Sequence, residues 1–157
     1  MQGEVETQSL VLDLLHEHKH VYVPRWHDVQ GHLTTEMDMI RLTSVSDYDH
    51  LPMNAWGIRE PMHDIAREAA LAQGIVMDVV LVPAVCFNRD RWRLGHGKGY
   101  YDRFLAQSQV LAKQQHVPEP VTVGLCLSEQ WLDGEAIPHD AHDHRMDFIV
   151  TPEEVIK

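Results

Sequence analysis

Cysteine is scarce: Cys86 and Cys126 are the only two in 157 residues. That is too few to staple a secreted scaffold, so a reducing, intracellular setting is expected. Long apolar runs are missing as well. The longest, Val79 to Phe87, is broken at Pro83 and falls far short of the roughly 20 residues that a helical membrane span requires. Positive charge is in short supply, with 13 Lys and Arg against 24 Asp and Glu for a formal net charge of −11. This argues against a nucleic-acid or anionic-membrane partner held by bulk electrostatics. Met1 to Glu6 is acidic, with no apolar stretch behind a basic one, so neither a signal peptide nor a transit peptide is read there. Internal repeats, low-complexity tracts and flexible linkers are absent too, and the chain reads as a single domain.

What is present is a globular composition, 44% hydrophobic and 24% charged, enough to bury a core. Leu10, Val11, Leu14 and Leu15 recur at helical spacing behind Thr7, a candidate N-cap, and predict a helix over 8–18. Val21 to Val23 reads as a short strand stopped by Pro24, and Met37 to Leu42 as a strand with imperfect alternation. Asp64 to Ala72 predicts a short helix closed by Gly74. Val76 to Val82, apolar on both faces except at Asp78, predicts a buried parallel strand. A helix over 100–115 and strands over 121–127 and 146–150 follow. Strands alternating with helices predict an α/β domain whose largely parallel sheet is covered on both faces, with functional loops at the carboxyl ends of strands.

The most informative stretch runs from Arg89 to Arg103. Five of the 13 basic residues, Arg89, Arg91, Arg93, Lys98 and Arg103, lie within it. Gly95, Gly97 and Gly99 alternate there, so the backbone is free to take positive φ and turn its N–H groups toward an anion. The positive end of the following helix points the same way. Together these predict a phosphate cradle. It is not a Walker A loop, since Trp92 stands where glycine is needed and Gly99 follows Lys98. It is not the dinucleotide fingerprint either, whose third glycine would fall at position 100. The bland account is a flexible turn among solvated arginines, which leaves Lys98 and Asp102 without a task.

Asp102 opens the helix, where the dipole favours a carboxylate in any case. For a metal role it needs partners, and Asp140, Asp143 and Asp147 are the candidates, because carboxylates with water suit Mg2+ bound beside phosphates. His139, His142 and His144 raise zinc as an alternative. Spacings of two and three are common by chance among 12 histidines, and a solvated loop accounts for them better. His16, His18 and His20 share no helix face and read as surface residues. Trp56 either stacks on a planar ligand or covers a core edge.

Arg93 to Asp102 resembles the Arg-Leu-Gly-Arg-Gly-x-Gly-Tyr-Tyr-Asp signature of the 5-formyltetrahydrofolate cyclo-ligase family, also called 5,10-methenyltetrahydrofolate synthetases. Glu4 to Thr7, Val23-Pro24-Arg25, Trp56 to Pro61, Val82-Pro83 and Asp143 to Asp147 fall in family order, so the resemblance covers nearly the whole chain. It implies a Rossmann-like three-layer αβα fold and an ATP- and Mg2+-dependent ligase that cyclises 5-formyltetrahydrofolate to 5,10-methenyltetrahydrofolate, releasing ADP and phosphate. Carried over residue by residue, Arg93, Gly95, His96, Gly97, Lys98, Gly99, Tyr100 and Tyr101 would hold the triphosphate, with Arg93 and Lys98 in catalytic roles. Asp102 and Asp143 would hold Mg2+. Glu4, Met37, Trp56 and Tyr100 would line the folate site.

Two departures stand out. His96 replaces the usual arginine, exchanging a fixed charge for a pH-dependent one. Family members also carry basic helices and a first strand upstream of the Glu-x-x-Thr motif. The resemblance therefore implies an N-terminally truncated domain, less stable than an extended form and weaker in binding ATP. A cytoplasmic location is expected, or a mitochondrial one if an upstream segment carried a transit peptide. The competing function is a non-catalytic folate- or nucleotide-binding remnant of the family.

Overall fold

The computed structural model describes residues 5–29, 32–53, 57, 59–62 and 67–157, with the side chains of 27–29 and 32–35 left aside. It forms two compact units, Glu6–Ile75 and, for most of the second, Val76–Lys157.

The first unit opens with α1 (Gln8–His16). The helix ends two residues earlier than its periodicity predicts, because His18 takes a left-handed φ of 56° and Lys19 N–H turns back to Leu14 O at 2.9 Å, a Schellman-type closure. Thr7 occupies the N-cap, but its side chain makes no capping bond. Val11, Leu12, Leu14 and Leu15 pack on a core of Val21, Leu42, Tyr48 and Leu51. A core side chain fully removed from water contributes roughly 1.5–3 kcal/mol, and these half-buried helix residues contribute less.

Strands β1 (Val21–Val29) and β2 (His32–Leu42) form an antiparallel hairpin in which Val21 faces Leu42 and Trp26 faces Met37. The strand expected to stop at Pro24 runs on through it, with Pro24 opposite Met39. A two-stranded ribbon gives each strand an edge where a missing N–H costs no ladder bond. The weak alternation over 37–42 also has a cause. Met37, Met39, Ile40 and Leu42 are all buried, and the segment 68–70 pairs with the far edge of β2 through Arg41 N–H to Glu68 O and Ala70 N–H to Met39 O. With both faces covered, a period of two has nothing to display. That pairing corrects the helix expected over 64–72: residues 64–66 lie outside the described residues, Ala69 bridges Ile40, and only Leu71–Gln73 turns helically before Gly74. Between β2 and that turn, α2 (Val45–Asp49) is capped by the Ser44 hydroxyl accepting from Asp47 N–H.

The second unit contains β3 (Val79–Val82), β4 (Cys86–Asn88), β5 (Arg93–Leu94), α3 (Tyr100–Gln115), β6 (Val121–Leu125), β7 (Trp131–Leu132), β8 (Phe148–Val150) and β9 (Val155–Ile156). A four-stranded sheet has the order β3-β6-β8-β9 and a three-stranded one the order β5-β4-β7. The largely parallel sheet expected from the sequence is present in part. β3, β6 and β8 are mutually parallel, whereas β9 joins β8 and β5 joins β4 antiparallel. The result is an α/β fold with mixed sheets. Phe87, Ile149, Val82 and Met146 are fully buried, as are Phe104 and Leu105 on α3. Among the described residues no helix is long and apolar enough to cross a membrane.

Candidate active site

Arg93 stands on β5, opposite Phe87 of β4, and the chain then enters the glycine loop. Gly97 takes φ 72° and Gly99, the N-cap of α3, φ 63°, a region that costs a side-chain-bearing residue but not glycine. A Cβ at Gly97 would meet nothing within 4 Å, whereas one at Gly95 would lie 3.2 Å from Arg93 Nη1, so the guanidinium lies close over the loop backbone. No main-chain N–H from Gly95 to Gly99 donates to a protein acceptor among the described residues. Five consecutive uncommitted donors beside a helix N-terminus suit an anion. On the other side of the loop, Arg103 Nη2 donates to Lys98 O, tying the loop to the first turn of α3.

Asp102 and Arg93 form a buried ion pair, Nη2 to Oδ1 at 2.7 Å. The same oxygen accepts the main-chain N–H of His144 at 3.1 Å, and the His144 ring lies 3.7 Å away with Nε2 3.4 Å from Gln109 Oε1. Burial pushes the Asp102 carboxyl up, but the His144 contact and the Arg93 charge outweigh it and hold the group well below the usual carboxylate range. Asp102 is thus an anion throughout the neutral range. The closest contacts of Arg93 and His144 with this carboxylate fall on Oδ1.

The second polar segment meets this one at His144. Asp143 is exposed and sits one residue before it. Its Oδ2 accepts from Asp140 N–H at 2.8 Å, and Asp140 Oδ1 accepts from His142 N–H at 2.7 Å, so Asp140 and Asp143 shape one tight turn. Asp147 is committed elsewhere: its Oδ2 accepts from Thr122 N–H at 2.8 Å and Thr122 Oγ1 at 2.9 Å, fastening β8 to β6. Among the described residues no group of three or more His, Cys, Asp or Glu is arranged to hold a metal, which leaves the zinc alternative without a site. Mg2+ asks less of the protein, since one or two carboxylates suffice when substrate phosphates and water complete its shell.

His96 and Lys98 are exposed on the loop, and Tyr100 and Tyr101 are half-buried on the first turn of α3. Met37 belongs to the first unit, where it is buried. Glu4 and Trp56 lie outside the described residues. Sequence reasoning missed the His144 contact with Asp102. It also left His139 as a solvated loop residue. In the structure the His139 ring stacks on Trp92, centroids 3.8 Å apart and planes within 12°, with Nδ1 2.9 Å from Ile137 O.

A sequence model of the 5-formyltetrahydrofolate cyclo-ligase family matches residues 1–152. The chain is 36% identical over 150 residues to the 5-formyltetrahydrofolate cyclo-ligase of Mus musculus, covering 96% of this chain and 68% of that one. It is 34% identical over 155 residues to the probable 5-formyltetrahydrofolate cyclo-ligase of Schizosaccharomyces pombe, covering 98% and 72%. The solved 5,10-methenyltetrahydrofolate synthetase of Mycoplasma pneumoniae superposes with a TM-score of 0.58 at 23% identity, over 95% of this chain and 66% of that one. This chain therefore spans about two thirds of the length of that solved chain. Glycine loop, ion pair and whole-chain match point one way: the chain belongs to the 5-formyltetrahydrofolate cyclo-ligase family.

Proposed function

We propose that this chain catalyses the ATP- and Mg2+-dependent cyclisation of 5-formyltetrahydrofolate to 5,10-methenyltetrahydrofolate, with release of ADP and phosphate. The observation that carries the reading is the run of five uncommitted N–H groups from Gly95 to Gly99, next to an arginine paired with an ionised carboxylate. The reaction moves the γ-phosphoryl group to the formyl oxygen, N10 attacks the activated carbon, and phosphate departs. Little covalent chemistry is left to the protein, which positions the reactants and neutralises charge.

In this reading the loop N–H groups hold the triphosphate, and Lys98, exposed on the same loop, brings a mobile ammonium to the charge that develops on the transferred group. Arg93 adds a guanidinium suited to phosphate oxygens. Asp102, ionised beside Arg93, and Asp143 would hold Mg2+, whose contribution when bound is to neutralise phosphate charge. Tyr100 is assigned to the folate side of the loop. The parallel β3-β6-β8 ladder supports reading the fold as a variant of the Rossmann-like three-layer arrangement. Cys86 and Cys126, both unpaired thiols, fit a reducing compartment such as the cytoplasm.

The test is turnover by the purified chain with 5-formyltetrahydrofolate, ATP and Mg2+, followed by the absorbance of the methenyl product. Product formation that disappears in Asp102→Ala supports the ligase. ATP and folate binding without product would instead establish a non-catalytic family remnant.

A further inference from the structure

Two arginines reach in opposite directions between the segments that carry the site. Arg91 Nη1 donates to Asp147 O at 2.8 Å, and Arg145 Nε donates to Asp90 O at 2.6 Å. Between them, Met146 N–H donates to Arg91 O at 3.0 Å. Each segment thus grips a carbonyl of the other.

Arg91 does this from a left-handed backbone, φ 68°, which disfavours any residue carrying a Cβ. The turn itself needs no side chain there, because Arg91 N–H closes it on Asn88 O at 2.9 Å and glycine would close it with less strain. What the arginine adds is its guanidinium, delivered to Asp147 O. Asp147 is anchored in turn by Thr122, so the grip is referred to β6. Two residues beyond Arg91 stands Arg93, and four before Asp147 stands Asp143.

We propose that Arg91 and Arg145 are positioning residues: their reciprocal latch fixes residues 143–147 against residues 88–93 and so sets the spacing between Asp143 and the Arg93–Asp102 pair. The proposal rests on the reading of this site as a Mg2+-nucleotide site. Mg2+ demands near-ideal geometry and dehydrates reluctantly, so a carboxylate displaced by a fraction of an ångström loses its share of the ion. The N–H groups of the glycine loop, which bind phosphate without the cation, do not depend on the latch.

The test uses the full chain and the variant Arg91→Gly, which suits the backbone and removes the guanidinium. ATP affinity is measured calorimetrically with and without Mg2+, alongside kcat and the Mg2+ concentration at half-maximal rate. In Arg91→Gly the melting temperature should hold or rise, Mg2+-free ATP affinity should stay unchanged, and the Mg2+ needed for half-maximal ATP binding should rise about tenfold or more. Arg145→Ala should move the same quantity the same way, and Arg145→Lys, which keeps a donor, should restore part of it. Met146 N–H should also lose protection from hydrogen exchange in Arg91→Gly. Mg2+-dependent ATP binding that Arg91→Gly leaves unmoved would overturn the positioning role alone. Equal loss of Mg2+-free and Mg2+-dependent affinity would overturn it too, as general damage to the loop. No ATP binding by the unsubstituted chain at any Mg2+ concentration would overturn the nucleotide reading and the positioning role with it.

Discussion

Arg93 and Asp102 hold one another in charge balance beneath the glycine loop, with side chains only 8% and 15% exposed and 2.7 Å between Nη2 and Oδ1. Removing either partner strands the other ion in a poorly hydrated place, a change that costs on the order of 3–5 kcal/mol. Arg93→Met and Asp102→Asn should each destabilise the chain by about that much, and the double variant by clearly less than the sum, with a coupling of about 1 kcal/mol or more. Denaturant unfolding of the four proteins measures this. Strict additivity would show that the two charges do not support one another.

Gly124 on β6 has no room for a side chain, because a Cβ there would lie 2.8 Å from Cζ of the fully buried Phe87. The two residues bring strands of different sheets into close approach. Gly124→Ala should cost about 1–3 kcal/mol by overpacking, and Phe87→Leu in the same chain should return part of it by opening the space. Thermal melts of the single and double variants decide the matter; an unshifted melting temperature in Gly124→Ala would mean that Phe87 yields freely.

Cys126 is buried, and its thiol is pushed up to about 11, by burial first and then by Cys86 and Glu153. Since the thiolate is the nucleophile, an aromatic disulfide reagent at pH 8 should leave Cys126 unmodified in the folded chain and label it at once in denaturant. Burst labelling under native conditions would contradict this environment.

Asp47 in the first unit takes a two-pronged hydrogen bond from Arg67, 3.0 and 2.8 Å, and this contact with Arg67, followed by bonds from Thr43, lowers its carboxyl below the usual value despite burial. A depressed carboxyl stabilises the fold above its unfolded value of 3.8 and loses that stabilisation as pH falls through the folded value. Asp47→Asn should therefore be less stable than the native chain by about 1 kcal/mol or more at pH 7. The gap should begin to narrow as pH falls below 3.8 and close once pH is below the depressed folded value. Hydrogen exchange at α2 amides at the two pH values reads the difference, and a gap independent of pH would rule out the ionic origin.

Local patterns carried much of this molecule. The helical spacing of Leu10 to Leu15 and of Tyr101 to Leu111 marked α1 and α3, and the alternation of Gly95, Gly97 and Gly99 marked the loop. What stayed hidden was set by partners distant in sequence. Pro24 looked like a stop because the hairpin edge that tolerates it is a tertiary fact. Glu68 to Ala70 looked helical until β2 claimed its backbone. His139 and His144 read as loop histidines, since nothing in their spacing announces Trp92 or Asp102 across the fold.

The bonds that join the two halves of the site span 42 residues from Asp102 to His144, 55 from Asp90 to Arg145 and 56 from Arg91 to Asp147. Closing loops of that size costs entropy before any contact repays it. A chain emerging during synthesis therefore carries a complete glycine loop long before residues 143–147 exist to meet it. The contacts that draw residues 143–147 onto residues 90–102 are therefore the last of this group to form, and under the proposed reading Asp143 joins Asp102 only with them.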